Sequence, residues 1–144
     1  VILQSGSLKV ERDMLVDVFK KSPFNFYFDY VPLTDGRSRL VGRSADNGSL
    51  IELIGPSDGL LAATYTALLS DKKPLAKLRN LNGISAFIDI IFSDWEGRHE
   101  WLGENIDGAF SGVNAGKTFN RKTITLSKVL GSETLTLMVF GPPV

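Results

Sequence analysis

The sequence predicts an α+β domain in which one mainly antiparallel sheet of five strands is covered on one face by helices. Three observations predict this fold class. Residues 74–92 have the hydrophobic spacing of a long helix, residues 24–31 alternate as a strand does, and two further pairs of alternating segments flank turn dipeptides. The predicted order is one helix, three strands, three helices and two strands, and such separate runs are typical of α+β folds.

The first helix is predicted over residues 8–21 and the first strand over residues 24–31. A broad apolar stripe indicates the helix, which ends at Ser22-Pro23 because proline disfavours helical backbone in the residue before it. In the strand, four aromatic side chains share one face. They are Phe24, Phe26, Phe28 and Tyr30.

Asn47-Gly48 predicts a β-hairpin that joins a strand over residues 37–45 to one over residues 49–55. This dipeptide favours a type I′ turn, in which both central residues have positive φ. In a two-residue loop of this kind Arg43 faces Glu52, and an opposite-charge pair across the strands supports that register.

Gly131-Ser132 predicts a second hairpin, whose strands cover residues 122–130 and 133–140 after a loop over residues 111–118. In its two-residue register one face is apolar and the other carries Thr and Ser side chains. The apolar residues are Ile124, Leu126, Leu135, Leu137 and Val139.

Three helices are predicted between the two hairpins, over residues 58–69, 74–92 and 94–110. The second of them begins near Pro74 and contains Gly83, which weakens a helix by about 1 kcal/mol relative to Ala, so packing must hold it. The third divides into an apolar side and an acidic side, which is the pattern of a helix at the surface of a core.

The composition excludes several classes of function. Sixteen basic and sixteen acidic residues cancel, so no general attraction to nucleic acid is expected. The chain has no Cys, which excludes disulfides, thiolate metal sites and a cysteine nucleophile. No run reaches the roughly 18 apolar residues of a membrane span.

Residues 1–144 are expected to form a single domain, in which residues 1–7 are a flexible tail. The chain begins with Val rather than Met, so the domain is expected to be either cytoplasmic or exported after the loss of a targeting segment.

Gly116-Lys117-Thr118 has the ending of a phosphate-binding loop but not its spacing. Such a loop needs a glycine five residues before Gly116, where the chain has Ser111. It should also enter a helix whose N–H groups face the phosphates, whereas here a helix precedes and a strand follows. We therefore predict neither nucleotide binding nor any other cofactor.

One acidic stretch supplies the candidate ligand-binding or partner-binding residues, although no catalytic residue and no metal site are predicted. Carboxylates three and four positions apart share a helix surface, and the single histidine is close to them in the sequence but falls on the apolar side of the predicted helix. A catalytic zinc site needs about three protein ligands, often two of them His, and the chain has one His. The candidates are Asp94, Glu96, His99, Glu100 and Glu104.

The leading functional hypothesis is a non-enzymatic binding or accessory module whose exposed sheet face or helix groove engages a protein, a peptide or a small apolar ligand. The first alternative is a small carboxylate- and histidine-dependent enzyme, with metal assistance as an option. The second is a structural subunit whose unpaired sheet edges join a second copy into a homodimer. A concave pocket around His99 with shifted pKa values would favour the enzyme.

Overall fold

The computed structural model describes residues 6–143, which form three α-helices and one seven-stranded sheet. The elements in chain order are α1 (Arg12–Lys20), β1 (Tyr27–Tyr30), β2 (Arg39–Arg43), β3 (Ser49–Ile54), β4 (Ala62–Leu68), α2 (Pro74–Ile91), α3 (Arg98–Phe110), β5 (Ala115–Phe119), β6 (Lys122–Lys128) and β7 (Thr134–Phe140). In the described residues no helix is long and apolar enough to cross a membrane.

The sheet consists of two antiparallel meanders that join in its centre. Its strand order is β1-β2-β3-β4-β7-β6-β5. Every neighbouring pair is antiparallel, and β4 pairs with β7 from Ala62 opposite Phe140 to Leu68 opposite Thr134. The α+β class is therefore confirmed, whereas the predicted number of five strands is wrong.

The helices pack on one face of this sheet, which we call the helix face. Tyr65 in the centre of β4 is 1% exposed, and its ring lies 5.5 Å from that of Phe87 in α2 and 5.9 Å from that of Phe19 in α1. The side chains that alternate with this set point to the other side, which we call the open face. The two faces follow from the period of two along each strand.

The segment predicted as a helix over residues 58–69 is the strand β4, which is one reason for the wrong strand count. Ala63, Tyr65 and Ala67 are buried on the helix face, while Thr64 and Thr66 are partly exposed on the open face. Leucines at both ends of the segment have helical spacing and suggested a helical stripe. The segment forms a strand because it pairs with another strand on each of its edges. Its Thr residues also favour a strand, since a β-branched side chain packs well on a pleated surface.

The segment predicted as a loop over residues 111–118 contributes the seventh strand. β5 pairs with β6 from Ala115 opposite Leu126 to Phe119 opposite Lys122. The two residues between these strands, Asn120 and Arg121, both have positive φ, as a type I′ turn requires. Arginine in place of the usual glycine concealed this turn in the sequence.

The two predicted hairpins have different outcomes. The register of the second is confirmed, with Thr123 opposite Phe140 and Lys128 opposite Leu135. The first is shifted by two residues, so that Arg43 lies opposite Leu50 rather than Glu52. A shift of two keeps every side chain on its predicted face, because faces alternate with a period of two.

Side-chain hydrogen bonds cause the shift in the first hairpin. The Ser44 N–H donates to the Ser49 carbonyl at 3.1 Å and closes a four-residue loop. Within that loop Asp46 Oδ1 accepts bonds from the Gly48 N–H at 2.9 Å and from Ser44 Oγ at 2.7 Å. Only Asn47 of the predicted dipeptide has positive φ, at 58°. The loop is therefore an Asp-stabilised turn and not a two-residue one.

Three of the four predicted helices are confirmed as elements, although not at every boundary. α2 matches its prediction closely, whereas α1 and α3 begin four residues later than predicted. Leu8 and Val10, predicted within the first helix, are buried in the irregular segment before α1, where the Leu8 N–H donates to the Leu60 carbonyl at 2.7 Å. The predicted tail falls partly outside the described residues, and within them the Gly6 N–H donates to the Pro142 carbonyl at 2.6 Å.

Candidate binding surfaces

The predicted site residue His99 lies beside Asp89, a carboxylate that the sequence analysis did not single out. His99 Nε2 is 2.6 Å from Asp89 Oδ1, and Arg98 Nε donates to the same oxygen at 2.6 Å. His99 is exposed, so it is not the residue of the apolar stripe that its spacing suggested. Asp89 belongs to α2, and its proximity to α3 depends on the angle between the two helices, for which the sequence has no local signal.

The two hydrogen bonds set the ionisation of Asp89. Burial raises its pKa, but the hydrogen bonds from Arg98 and His99 oppose that effect and hold the pKa below its usual 3.8. Arg98 also donates through Nη1 to the Trp95 carbonyl at 2.9 Å. The cluster therefore holds the start of α3 against α2 and acts as an ion-pair link between helices.

The other predicted site residues do not join His99. Asp94 accepts a hydrogen bond from Asn120 Nδ2 at 2.7 Å, which ties it to the turn between β5 and β6. Glu96, Glu100 and Glu104 are exposed. In residues 6–143 no group of three or more His, Asp or Glu side chains is placed to hold a metal ion. The structure thus does not assemble the proposed acid/base set.

The open face is the largest surface on which the side chains share one chemistry. The side chains that β4, β6 and β7 contribute to it are uncharged and, apart from the buried Ala62, partly exposed. Seven of them carry hydroxyl groups, and these are Thr64, Thr66, Thr123, Thr125, Ser127, Thr134 and Thr136. The apolar ones are Leu68, Met138 and Phe140, and Leu50 continues the row of Thr66 and Thr136 onto β3.

Charged side chains of the open face lie on β1, β2 and β3, to one side of the sheet. Arg39 Nη1 lies 3.5 Å from Glu52 Oε2, and Arg39 Nε donates to the Val31 carbonyl at 2.8 Å. Asp29 and Arg43 are exposed near them. The open face therefore has an uncharged centre and a charged border.

The two edges of the sheet differ in how they discourage another strand. β5 is exposed and carries Lys117, and a lysine on an edge strand opposes further pairing. β1 carries no Lys, and its Tyr27 and Tyr30 are 72% and 61% exposed. The predicted homodimer through a sheet edge therefore fits β1 better than β5, and it stays a prediction.

Asp94 lines a cleft of about 580 Å³, whereas Glu96, His99, Glu100 and Glu104 do not. It lies where the segment before α1, the link between α2 and α3, and the β5–β6 turn meet. The candidate residues of the sequence analysis therefore divide between this cleft and the exposed surface of α3.

Comparison with known proteins adds no relative to these observations. No family model matches the chain, and neither a curated protein nor a solved structure matches it.

Proposed function

We propose that the protein is a non-enzymatic binding or accessory module that engages another protein through the uncharged centre of its open face. The single observation that carries this proposal is the absence of charge on that face of β4, β6 and β7, which are three adjacent strands of the seven-stranded sheet. The solvated face of an antiparallel sheet is polar, and here its polar groups are hydroxyls without charge; charge is depleted at the cores of protein interfaces.

The shape of the face favours a protein over a small ligand. Seven strands about 4.8 Å apart span roughly 29 Å, and a seven-residue strand is roughly 24 Å long, so the whole face covers roughly 700 Å², of which the three uncharged strands make up about a third. A protein partner would therefore cover the charged border as a polar rim around the uncharged centre. A stable interface buries about 800 Å² on each partner. The partner is expected to present a flat surface of apolar and hydroxyl groups, such as a second sheet packed face to face at about 10 Å.

The enzyme alternative has less support. Asp94 is hydrogen-bonded to the β5–β6 turn, whereas the carboxylate beside His99 is Asp89, which lies outside the cleft and is paired with Arg98 as well. Proton transfer between a base and its partner needs hydrogen-bond distance, directly or through one water. No feature of the cleft brings His99 to Asp94.

The test places one charge in the centre of the open face. Thr66→Lys adds an ammonium between Leu50 and Thr136, and its matched control, Glu100→Lys with Glu104→Lys, changes charge only on the exposed side of α3. Proteins recovered with the wild type are purified and titrated against each variant by calorimetry. We expect Thr66→Lys to weaken binding at least tenfold and the control to bind as the wild type does.

Two results would contradict the proposal. Binding that survives Thr66→Lys but is lost in the Glu100→Lys and Glu104→Lys control would assign docking to the acidic side of α3. A wild-type homodimer in sedimentation velocity that Thr66→Lys converts to a monomer would make a second copy the occupant, and would favour the structural-subunit alternative.

A further inference from the structure

The cleft beside Asp94 collects positive charge on a chain that is neutral as a whole. Lys9, Arg121 and Lys122 line it together with the single carboxylate of Asp94, so its wall carries a net charge of +2. A cleft lined by one sign of charge focuses the electric field and concentrates ligands of the opposite sign. The expected ligand is therefore an anion.

The three cations have different local environments. Lys122 Nζ donates to the Ile91 carbonyl at 2.6 Å and lies 5.7 Å from the centre of the Phe92 ring, so its position is fixed. Lys9 and Arg121 line the cleft and are exposed. A guanidinium offers a planar pair of donors that matches two oxygens of a phosphate, and Lys adds a point charge. Lys122 is fixed by its own contacts, so Lys9 and Arg121 are the cations that can bind a ligand entering from solvent.

The backbone at the cleft is unusual at the same residues. Lys9, Asn120 and Arg121 have φ of 59°, 49° and 67°, and they are three of the five non-glycine residues with positive φ in the described part of the chain. Glycine is the preferred second residue of a type I′ turn, and a non-glycine residue there is under strain. The chain therefore keeps an arginine where glycine would be more stable.

The remaining walls match the rest of a small organic molecule. The rings of Pro142 and Pro143 supply apolar surface, while Ser93, Asp94 and Asn120 supply polar groups that bond hydroxyls. Cavities that hold small molecules measure roughly 300–1,000 Å³, so about 580 Å³ exceeds the need of a bare inorganic anion. A phosphate monoester carries about −1.5 to −2 charges at pH 7, which the net charge of the wall balances.

We propose that this cleft binds a small hydroxylated phosphate ester, with its phosphate on Arg121 and Lys9 and its hydroxyl groups on Asp94 and Asn120. This site lies apart from the open face, and it is independent of the proposed docking of a protein there. Binding is non-covalent, and no covalent bond forms or breaks.

The test titrates the wild-type protein by calorimetry with glucose 6-phosphate, inorganic phosphate and glucose at constant ionic strength. We expect saturable binding of glucose 6-phosphate, at least tenfold weaker binding of inorganic phosphate, and none of glucose. Arg121→Gly should weaken binding of the ester at least tenfold and at the same time raise Tm, because it removes both the cation and the backbone strain. The control Lys117→Gln, which removes an exposed cation of β5 outside the cleft, should change neither affinity nor Tm.

Each of four results would overturn the proposal. These are the absence of saturable ester binding to the wild type, an unchanged affinity in Arg121→Gly, an equal loss in Lys117→Gln, and equal affinity for inorganic phosphate and the ester. Arg121→Lys provides a second check that does not depend on strain relief, because it keeps the charge at an unchanged backbone position. Arg121→Lys should bind the ester more tightly than Arg121→Gly does.

Discussion

Gly83 shows why a residue that weakens a helix can be necessary to its packing. α2 passes over Tyr65, and a Cβ at Gly83 would overlap the Tyr65 hydroxyl and lie 3.0 Å from its Cζ. Burial raises the pKa of Tyr65 to about 12, against the smaller opposing effect of its hydrogen bond with Ser49, so the hydroxyl stays protonated. Glycine at this position therefore lets the largest side chain in the centre of the sheet fit beneath the helix.

We predict that Gly83→Ala destabilises the protein although alanine is the better helix former. Helix propensity favours alanine by about 1 kcal/mol, and overpacking a filled core typically costs about 1–3 kcal/mol. Gly103 in α3 provides the matched control, because a Cβ there meets nothing within 4 Å, and Gly103→Ala should stabilise. Chemical denaturation measures both changes.

The double variant Gly83→Ala with Tyr65→Phe separates the clash from any general effect on α2. Removing the hydroxyl should recover part of the loss, and Cζ at 3.0 Å from the new Cβ should prevent a full recovery. Additive effects of the two substitutions, with no coupling between them, would contradict the assigned contact.

Local sequence patterns predict some strands of this fold and miss others. The β6–β7 hairpin was predicted with its register because Gly131 and Ser132 form a local turn between strands with one apolar face. β4 was missed because its helix face carries Ala63 and Ala67, whose small side chains give a weak period-two signal between leucines. Its pairing with β7 is a nonlocal contact that no local pattern contains.

In the candidate site too, features set by a residue's own helix were predictable, and contacts with other elements were not. The exposure of Glu100 and Glu104 was predictable from the acidic side of their own helix. The partners of Asp94 and His99 were not, since Asn120 and Asp89 reach them from other elements. The charge of the cleft was missed for the same reason, because Lys9 and Arg121 are far apart in the sequence.

We predict that the link between α2 and α3 weakens in acid. Because the folded-state pKa of Asp89 is lowered, its contribution to stability is present above the unfolded pKa near 3.8 and is lost as the pH falls through the lower folded value. Asp89→Asn should therefore reduce the free energy of unfolding at pH 7, and the difference from the wild type should shrink below about pH 4.

The change in the free energy of unfolding caused by Asp89→Asn should be small. An exposed aspartate provides the control. The Asp89 side chain is 44% exposed, and ion pairs at this exposure contribute about 0–1 kcal/mol. Asp17→Asn removes a carboxylate from the exposed side of α1 and should not reproduce the change. Urea denaturation from pH 2.5 to pH 7 tests the pair, and a difference that is constant over this range would contradict the role of Asp89.

At the scale of the whole molecule, the pairing of β4 with β7 joins two meanders that are each local in sequence. Closing the long loop between them costs chain entropy before the pairing is formed, which slows folding. We expect the transition state to contain this central pairing. Leu137 in β7 and Leu53 in β3 are both fully buried and offer a matched comparison.

We predict that Leu137→Ala mainly slows refolding, whereas Leu53→Ala mainly accelerates unfolding. Both substitutions should cost about 2–5 kcal/mol of stability, because each leaves a cavity in the core. The partition between the two rates reports whether the contact is formed in the transition state. Stopped-flow refolding and unfolding in urea measure it, and equal effects of the two variants on the refolding rate would contradict this order.

The central place of β7 also has a consequence during synthesis on the ribosome. Of the seven strands β7 is made last, yet it lies between β4 and β6, so β4 keeps an unpaired edge while residues 69–134 are added. At about 5–20 residues per second this interval lasts roughly 3–13 s. An exposed strand edge is a template for pairing with other chains. Nascent chains of this protein should therefore be most prone to associate with one another, or to recruit chaperones, shortly before β7 emerges.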